Sequence, residues 1–288
     1  FGPPEGGEPG IETHRSIVRA LGEIGYNWFE LVGPTLSRDT EQMTAIHCQP
    51  FMQAAREAGG RNSGLHWLLA GTQTDLTSPD AEVRKRTANR IVALTMLTSW
   101  LGGRVNVHGS PAQRNLHWDQ TYPAAFDAAV EVYAMVVPRI RDLRVKICIE
   151  QLAPNETNFL GSLAEVMRFI DAVNAKVGAN HQVLFPIIDI KALLFIPTVT
   201  MTDVVAAIRK YGPRAAHVHL NNKTLGGPGC DDLDFGPVFQ ALYDIGYHEP
   251  WELTGEQRIL SVEVFNAKTV SLLETARKSF ETITSWRP

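Results

Sequence analysis

VKICIEQLAPNETNFLGSLAEVMRFIDAVNAKVGANHQVLFPIIDI, residues 145–190, decides the fold class. It opens on an apolar run, Val145 to Leu152, and passes through a polar connection. Ser162 to Val177 then carries apolar residues at helical spacing, and a second apolar run, Val183 to Ile190, closes the stretch. The alternation extends in both directions. Trp28 to Val32, Gly64 to Ala70, Arg104 to His108, Ala215 to Leu220 and Ile259 to Phe265 read as further strands. Helical stretches run over 12–24, 41–58, 81–101, 122–142, 202–211, 236–245 and 267–284. The clearest starts at Ser78-Pro79-Asp80 and spaces Val83, Ile91, Val92, Leu94, Leu97, Trp100 and Leu101 along one helix. Strand–helix alternation with mostly apolar strands means parallel β/α units.

Seven strands and eight helices in 288 residues fit one α/β domain, 1–288, folded as a (β/α)8 TIM barrel, whose usual size is about 250 residues. The first strand is expected before Glu12, where only FGPPEGGEPG stands. It is therefore expected to be truncated or to lie upstream of residue 1, unless a leader has been removed. A doubly wound open sheet is the alternative, but no G-x-G-x-x-G follows the first strand.

Composition removes several functional classes. With 27 Lys+Arg against 31 Asp+Glu, the net charge of −4 argues against a nucleic-acid partner bound by phosphate neutralisation. No apolar run reaches the roughly 18–20 residues that cross a bilayer, so no membrane partner is expected. Cys48, Cys148 and Cys230 lack metal-site spacing and are odd in number, which excludes a disulfide scaffold. The cytoplasm is the default location.

Chemistry in such a barrel sits at the C-terminal ends of strands. Four apolar strands end in groups that are expensive to bury: Glu150 in VKICIE, Asp189 in VLFPIID, His219 in HVHL and Glu263 in LSVEVF. Alternate strand residues share a face, so Cys148 with Glu150, Ile187 with Asp189, His217 with His219, and Ser261 with Glu263 can each aim one polar group at a common centre. Three carboxylates and one imidazole suit a single divalent ion, with Mn²⁺ preferred and Mg²⁺, Co²⁺ or Zn²⁺ as alternatives.

At these motifs the sequence resembles the sugar phosphate isomerase/epimerase superfamily of xylose isomerase-like TIM barrels, which includes the D-tagatose and D-psicose 3-epimerases. The resemblance rests on GLHWLLAG (64–71), HGSPAQR (108–114), IEQLAPNETNF (149–159), DIKAL (189–193), HVHLNN (217–222), GPGCDDLDF (227–235) and LSVEVF (260–265). It implies that Glu150, Asp189, His219 and Glu263 hold the metal. It also implies that Glu150 and Glu263 are the acid/base pair moving a proton next to a carbonyl through an enediolate. Glu156 matches a substrate-contacting glutamate of the epimerases, and relatives are often homo-oligomers. Two positions depart from the pattern: Ala192 stands where the epimerases carry a histidine, and Leu225 where they carry an arginine.

His66 and Trp67 at the barrel mouth are candidates for hydrogen bonding and stacking on a sugar. His108, read as inward-facing with Asn106, and Arg114 after the Gly109-Ser110-Pro111 turn are further substrate candidates, as is Lys191 on the Asp189 face. His217 reads as support for His219, and His14 and His117 as surface residues. Residues 248–258 read as an insertion before the last strand. If the last strand is instead WELTGE, the final ligand is Glu252; the alternation of LSVEVF favours Glu263. The expected activity is a metal-dependent isomerase or epimerase on a sugar or polyol-type molecule. The rivals are a lyase or dehydratase using the same pair on a keto-sugar, inosose or keto-glycoside, and, more remotely, an endonuclease IV-like phosphodiesterase. The last needs several metals and more strand-end histidines than stand here.

Overall fold

A computed structural model describes residues 10–178, 182–264 and 271–288. Among them seven parallel strands alternate with helices: β1 (Trp28–Val32), β2 (Arg61–His66), β3 (Val105–His108), β4 (Lys146–Ile149), β5 (Leu184–Asp189), β6 (His217–Leu220) and β7 (Ile259–Val262). β1 pairs with β2, and β3 to β7 form one sheet in sequence order. The expected first strand falls on residues outside the described ones, as does the end of the Ile259 to Phe265 run.

The helices are α1 (Ile11–Ile24), α2 (Gly33–Leu36), α3 (Ala45–Glu57), α4 (Ala81–Trp100), α5 (Tyr122–Ile140), α6 (Leu163–Val177), α7 (Ile190–Leu194), α8 (Met201–Tyr211), α9 (Gly236–Asp244) and α10 (Leu272–Ser285). Side-chain caps start several of them where the sequence places Ser, Thr or Asp: Asp80 accepts from the Glu82 amide, Thr121 from Ala124 and Ser162 from Glu165. Among the described residues, no helix is long and apolar enough to cross a membrane.

Two layers of apolar residues hold the sheet. Phe29, Leu31, Leu65, Ile147 and Ile149 face the helices, while Val105, Val107, Cys148, Phe185, Ile187 and Ile259 fill the barrel interior. β2 starts three residues earlier than the apolar pattern suggests. Its first half, Arg61-Asn62-Ser63, looks like a loop, yet Asn62 and Ser63 are buried because they meet backbone: Asn62 donates to the Leu101 carbonyl at 3.4 Å, and the Arg104 amide donates to Ser63 at 2.7 Å. The seam between β2 and β3 is completed by a side chain, Asn106 Oδ1 accepting from the Leu65 amide at 3.1 Å.

Two placements differ from the sequence reading. His14, expected at the surface, is buried on α1, where its Nε2 donates to the Phe51 carbonyl at 3.1 Å across the α1–α3 contact; burial lowers its pKa to about 4. His108, expected to face the interior, faces the helix layer. Val105 and Val107 take the inward positions of β3, so Asn106 and His108 point outward, onto Thr95 and Thr98 of α4 and the Tyr133 hydroxyl of α5. His108 thus spends Nδ1 on the Tyr133 hydroxyl and turns away from the barrel interior.

Residues 248–258 form a small excursion closed by an antiparallel bridge between Pro250 and Gln257 and by the Trp251 amide donating to Glu256 at 2.9 Å. Trp251 plugs the interior beside Phe185, whereas Glu252 is exposed in the turn.

Candidate metal and active site

Four neighbouring strands bring the expected groups together. Glu150 follows β4 directly, Asp189 ends β5, His219 lies in β6 and Glu263 follows β7. Asp189 pairs in register with His219, and the Glu150 and Glu263 amides continue the ladder to the carbonyls of His108 and Leu220, both at 3.2 Å. One ligand atom from each of Glu150, Asp189, His219 and Glu263 lies within 4.8 Å of all the others. His219 Nδ1 stands 3.4 Å from Asp189 Oδ2 and 3.5 Å from Glu263 Oε1.

The electrostatics are those of a carboxylate cluster lacking enough positive charge. Burial, with Asp189 and Glu263 close by, pushes Glu150 well above the usual carboxylate range. Asp189 stays low against its own desolvation because His219 and Lys191 face it and the Ala192 amide donates to it. His219 is raised, the carboxylates of Glu263, Glu30 and Asp189 outweighing burial. Lys191 is raised in the same way by Asp189, Glu263, Glu150 and Glu156. Its ammonium reaches Glu156 at 3.2 Å. Two buried atoms of the cluster, His219 Nδ1 and Glu263 Oε1, make no well-aligned hydrogen bond, although His66 Nδ1 stands 3.1 Å from that oxygen. Such donor atoms, converging carboxylates and oxygen-rich ligand chemistry all fit one hard or borderline divalent cation.

Around this centre the other expected residues take different places. His66 ends β2, stacks on His219 with ring centroids 5.2 Å apart and approaches Glu263 at 3.1 Å. Trp67 follows with φ 54°, a left-handed backbone that is uncommon for an aromatic residue; it turns the half-exposed indole edge-on to His66. His66 and Trp67 line a cavity of about 180 Å³ between β1 and β7, together with Glu30, Val32, Ser261 and Glu263. Glu156 and Lys191 pair beside the cluster. Arg114 differs from expectation. It is 1% exposed, and its Nη1 donates to the Glu150 carbonyl at 2.7 Å, because the turn at 111–113 folds the guanidinium back behind the end of β4. It braces the strand end instead of facing open space. Gly109 lies against the side chain of the same residue, and a Cβ there would overlap Glu150 Oε2.

The sequence profile of the xylose isomerase-like TIM barrel matches residues 18–286. The chain belongs to that family. L-ribulose 3-epimerase of Mesorhizobium japonicum is 24% identical over 196 residues, 68% of this chain and 60% of the relative. D-psicose 3-epimerase of Enterocloster bolteae is 28% identical over 139 residues, 46% of this chain and 42% of the relative. Each match therefore spans less than two thirds of the curated protein's length. D-allulose 3-epimerase from Methylomonas sp. shares the fold, with a TM-score of 0.75 at 18% identity over 96% of this chain and 93% of that one.

Two residues of this xylose isomerase-like barrel escaped the sequence reading. Asn221 continues the inward series of His217 and His219. Its amide donates to Asp189 Oδ2 at 2.9 Å and Glu263 Oε2 at 2.7 Å, and its oxygen accepts from the Lys191 amide at 2.8 Å. The period-two spacing within HVHLNN carried that signal. Glu30 on β1 faces inward from across the barrel, accepting from His217 Nε2 at 2.9 Å and His219 Nε2 at 3.2 Å. These two imidazoles hold it well below the usual carboxylate range in spite of its desolvation.

Proposed function

We propose that the chain is a divalent-metal-dependent sugar isomerase or epimerase that moves a proton next to a carbonyl. The observation that carries this reading is the convergence of Glu150, Asp189, His219 and Glu263 within 4.8 Å at the ends of four consecutive strands. Those four residues would hold one ion, with Mn²⁺ preferred for the mixed carboxylate and imidazole set. When bound, the ion polarises the substrate carbonyl and the neighbouring hydroxyl.

The protein's own groups do the proton work. Glu150 and Glu263 remove and return the proton through an enediolate, as acid and base in turn. Asn221 fixes the carboxylates of Asp189 and Glu263 relative to each other. The Glu156–Lys191 pair presents a carboxylate and an ammonium to substrate hydroxyls, while His66 and the half-exposed Trp67 offer a donor and an apolar face on the Glu263 side. All these groups come from one barrel, so residues 1–288 are proposed as a single catalytic domain. The names of the epimerase relatives support a ketose as the substrate class.

Solvent-deuterium exchange tests the proposal. A panel of ketoses, inososes and keto-glycosides in deuterated water with Mn²⁺ should yield a product carrying deuterium at the carbon beside the carbonyl, and chelation should stop it. Loss of water or aglycone instead of retention would assign a lyase. That outcome has its own rationale, since Ala192 and Leu225 replace two substrate contacts of the epimerases. A panel showing neither exchange nor elimination would overturn the proposal.

A further inference from the structure

We infer that Glu30 is a positioning residue for the proposed metal centre: it holds His219 in the tautomer that turns Nδ1 toward the three carboxylates, with His217 as its brace. The inference rests on the metal reading of the site.

Glu30 sits on β1, the only charged residue of the run WFELV, and its carboxylate crosses the barrel to β6. It meets His217 Nε2 at 2.9 Å and His219 Nε2 at 3.2 and 3.3 Å. An ionised carboxylate only accepts hydrogen bonds, so both Nε2 atoms must carry the hydrogen. A neutral imidazole protonated at Nε2 has its lone pair on Nδ1. In His219 that atom is buried, unpartnered and directed at the place where Glu150, Asp189 and Glu263 meet. Without Glu30, Nδ1 would be free to take the hydrogen and bond to Asp189, 3.4 Å away, which would remove it as a ligand. A carboxylate behind a ligating imidazole also raises its basicity.

His217 has a separate place in the same arrangement. It is fully buried, its Nδ1 has no partner, and its Nε2 is spent on Glu30. It therefore keeps the carboxylate in position while His219 serves the cluster. A rival use of these residues is a second cation held by Glu30, His217 and His219, whose ligand atoms also lie within 4.8 Å of one another. That site would need both Nε2 atoms unprotonated, the reverse of the hydrogen bonding described.

Two measurements on the full chain test the inference. The first is the ¹⁵N-imidazole spectrum of the unsubstituted, metal-free protein. Recorded on the alkaline side of the His219 transition, where the ring is neutral, it should show the hydrogen on Nε2 and Nδ1 bare; a neutral ring protonated at Nδ1 would overturn the inference with no variant needed. The second is titration of Mn²⁺ into chelator-stripped protein. The parent should bind one ion, and Glu30→Gln should bind one ion about 10- to 100-fold more weakly with a mixed His219 tautomer. Equal affinity in Glu30→Gln, or two ions in the parent, would overturn it. A parent that binds no Mn²⁺ would instead defeat the metal reading itself. A group with a merely structural part would change the melting temperature and leave the tautomer and the affinity of the folded protein alone.

Discussion

Glu150→Gln is expected to lower turnover by about 10³-fold or more while leaving the metal-free protein at least as stable as the parent. The two effects share one cause. Glu150 is 3% exposed, and burial beside Asp189 and Glu263 pushes its carboxyl well above the usual range, so its negative charge is a cost to the folded chain. Glutamine keeps the shape, which matters where Gly109 leaves room for no larger change, and keeps the backbone carbonyl that Arg114 grips at 2.7 Å. What it loses is a ligand charge and a proton-accepting oxygen. Turnover on the responsive member of the sugar panel and the melting temperature in chelator check both halves. Parental turnover would remove Glu150 from the chemistry. A metal-free melting temperature lowered by several degrees would make it a structural group.

The largest stability effect is expected at Gly64. Within β2 its φ is +154°, and a Cβ there would overlap the carbonyl oxygen of Val105. The neighbouring strand cannot move aside cheaply, because the Arg104 amide is bonded to Ser63 at 2.7 Å and the Leu65 amide to Asn106 at 3.1 Å, on either side of the glycine. Gly64→Ala combines backbone-against-backbone overpacking with conformational strain, a cost of about 3 kcal/mol or more. The melting temperature should fall by roughly 6 °C or more. Gly59→Ala is the control: its φ of +79° is strained too, but a Cβ there meets nothing within 4 Å, so only about 1 kcal/mol is at stake. Equal melting temperatures for the two variants would show that the β2–β3 seam yields more easily than its hydrogen bonding implies. His66 and Trp67 follow Gly64 on the same strand end, so the alanine variant should also disturb the cavity they line.

The sequence disclosed the centre of the site better than its surroundings, for physical reasons. Glu150, Asp189, His219 and Glu263 each close an apolar strand, where an unpaired charge is too costly to be incidental, and strand parity places each on the inward face. Parity misled on β3. In Val105-Asn106-Val107-His108 the alternation fits either orientation, and Thr95, Thr98 and Tyr133 on the helices decide it by giving Asn106 and His108 polar partners outside the barrel. Arg114 read as a substrate candidate because nothing local shows that the turn after β3 folds its guanidinium back onto the Glu150 carbonyl. Glu30 was invisible as a site residue. A single glutamate in WFELV reads like any half-exposed strand residue, and its partners lie 187 and 189 positions away on the far side of the barrel. The 248–258 excursion was legible as an interruption, but its packing was not, since Trp251 fills the interior only once Phe185 stands opposite.

The proposed chemistry needs one ion held by Glu150, Asp189, His219 and Glu263. Elemental analysis of the chain, loaded with Mn²⁺ and freed of loose metal, tests that most directly when parent and Asp189→Asn are compared. Asp189 bonds to Asn221 and the Ala192 amide through oxygens that asparagine can only partly replace, so circular dichroism must first show the variant folded. The expected result is about one Mn²⁺ per parent chain and well under half of that in folded Asp189→Asn. A parent chain that retains none of Mn²⁺, Mg²⁺, Co²⁺ or Zn²⁺, or one whose metal is held equally well by the variant, would contradict the account.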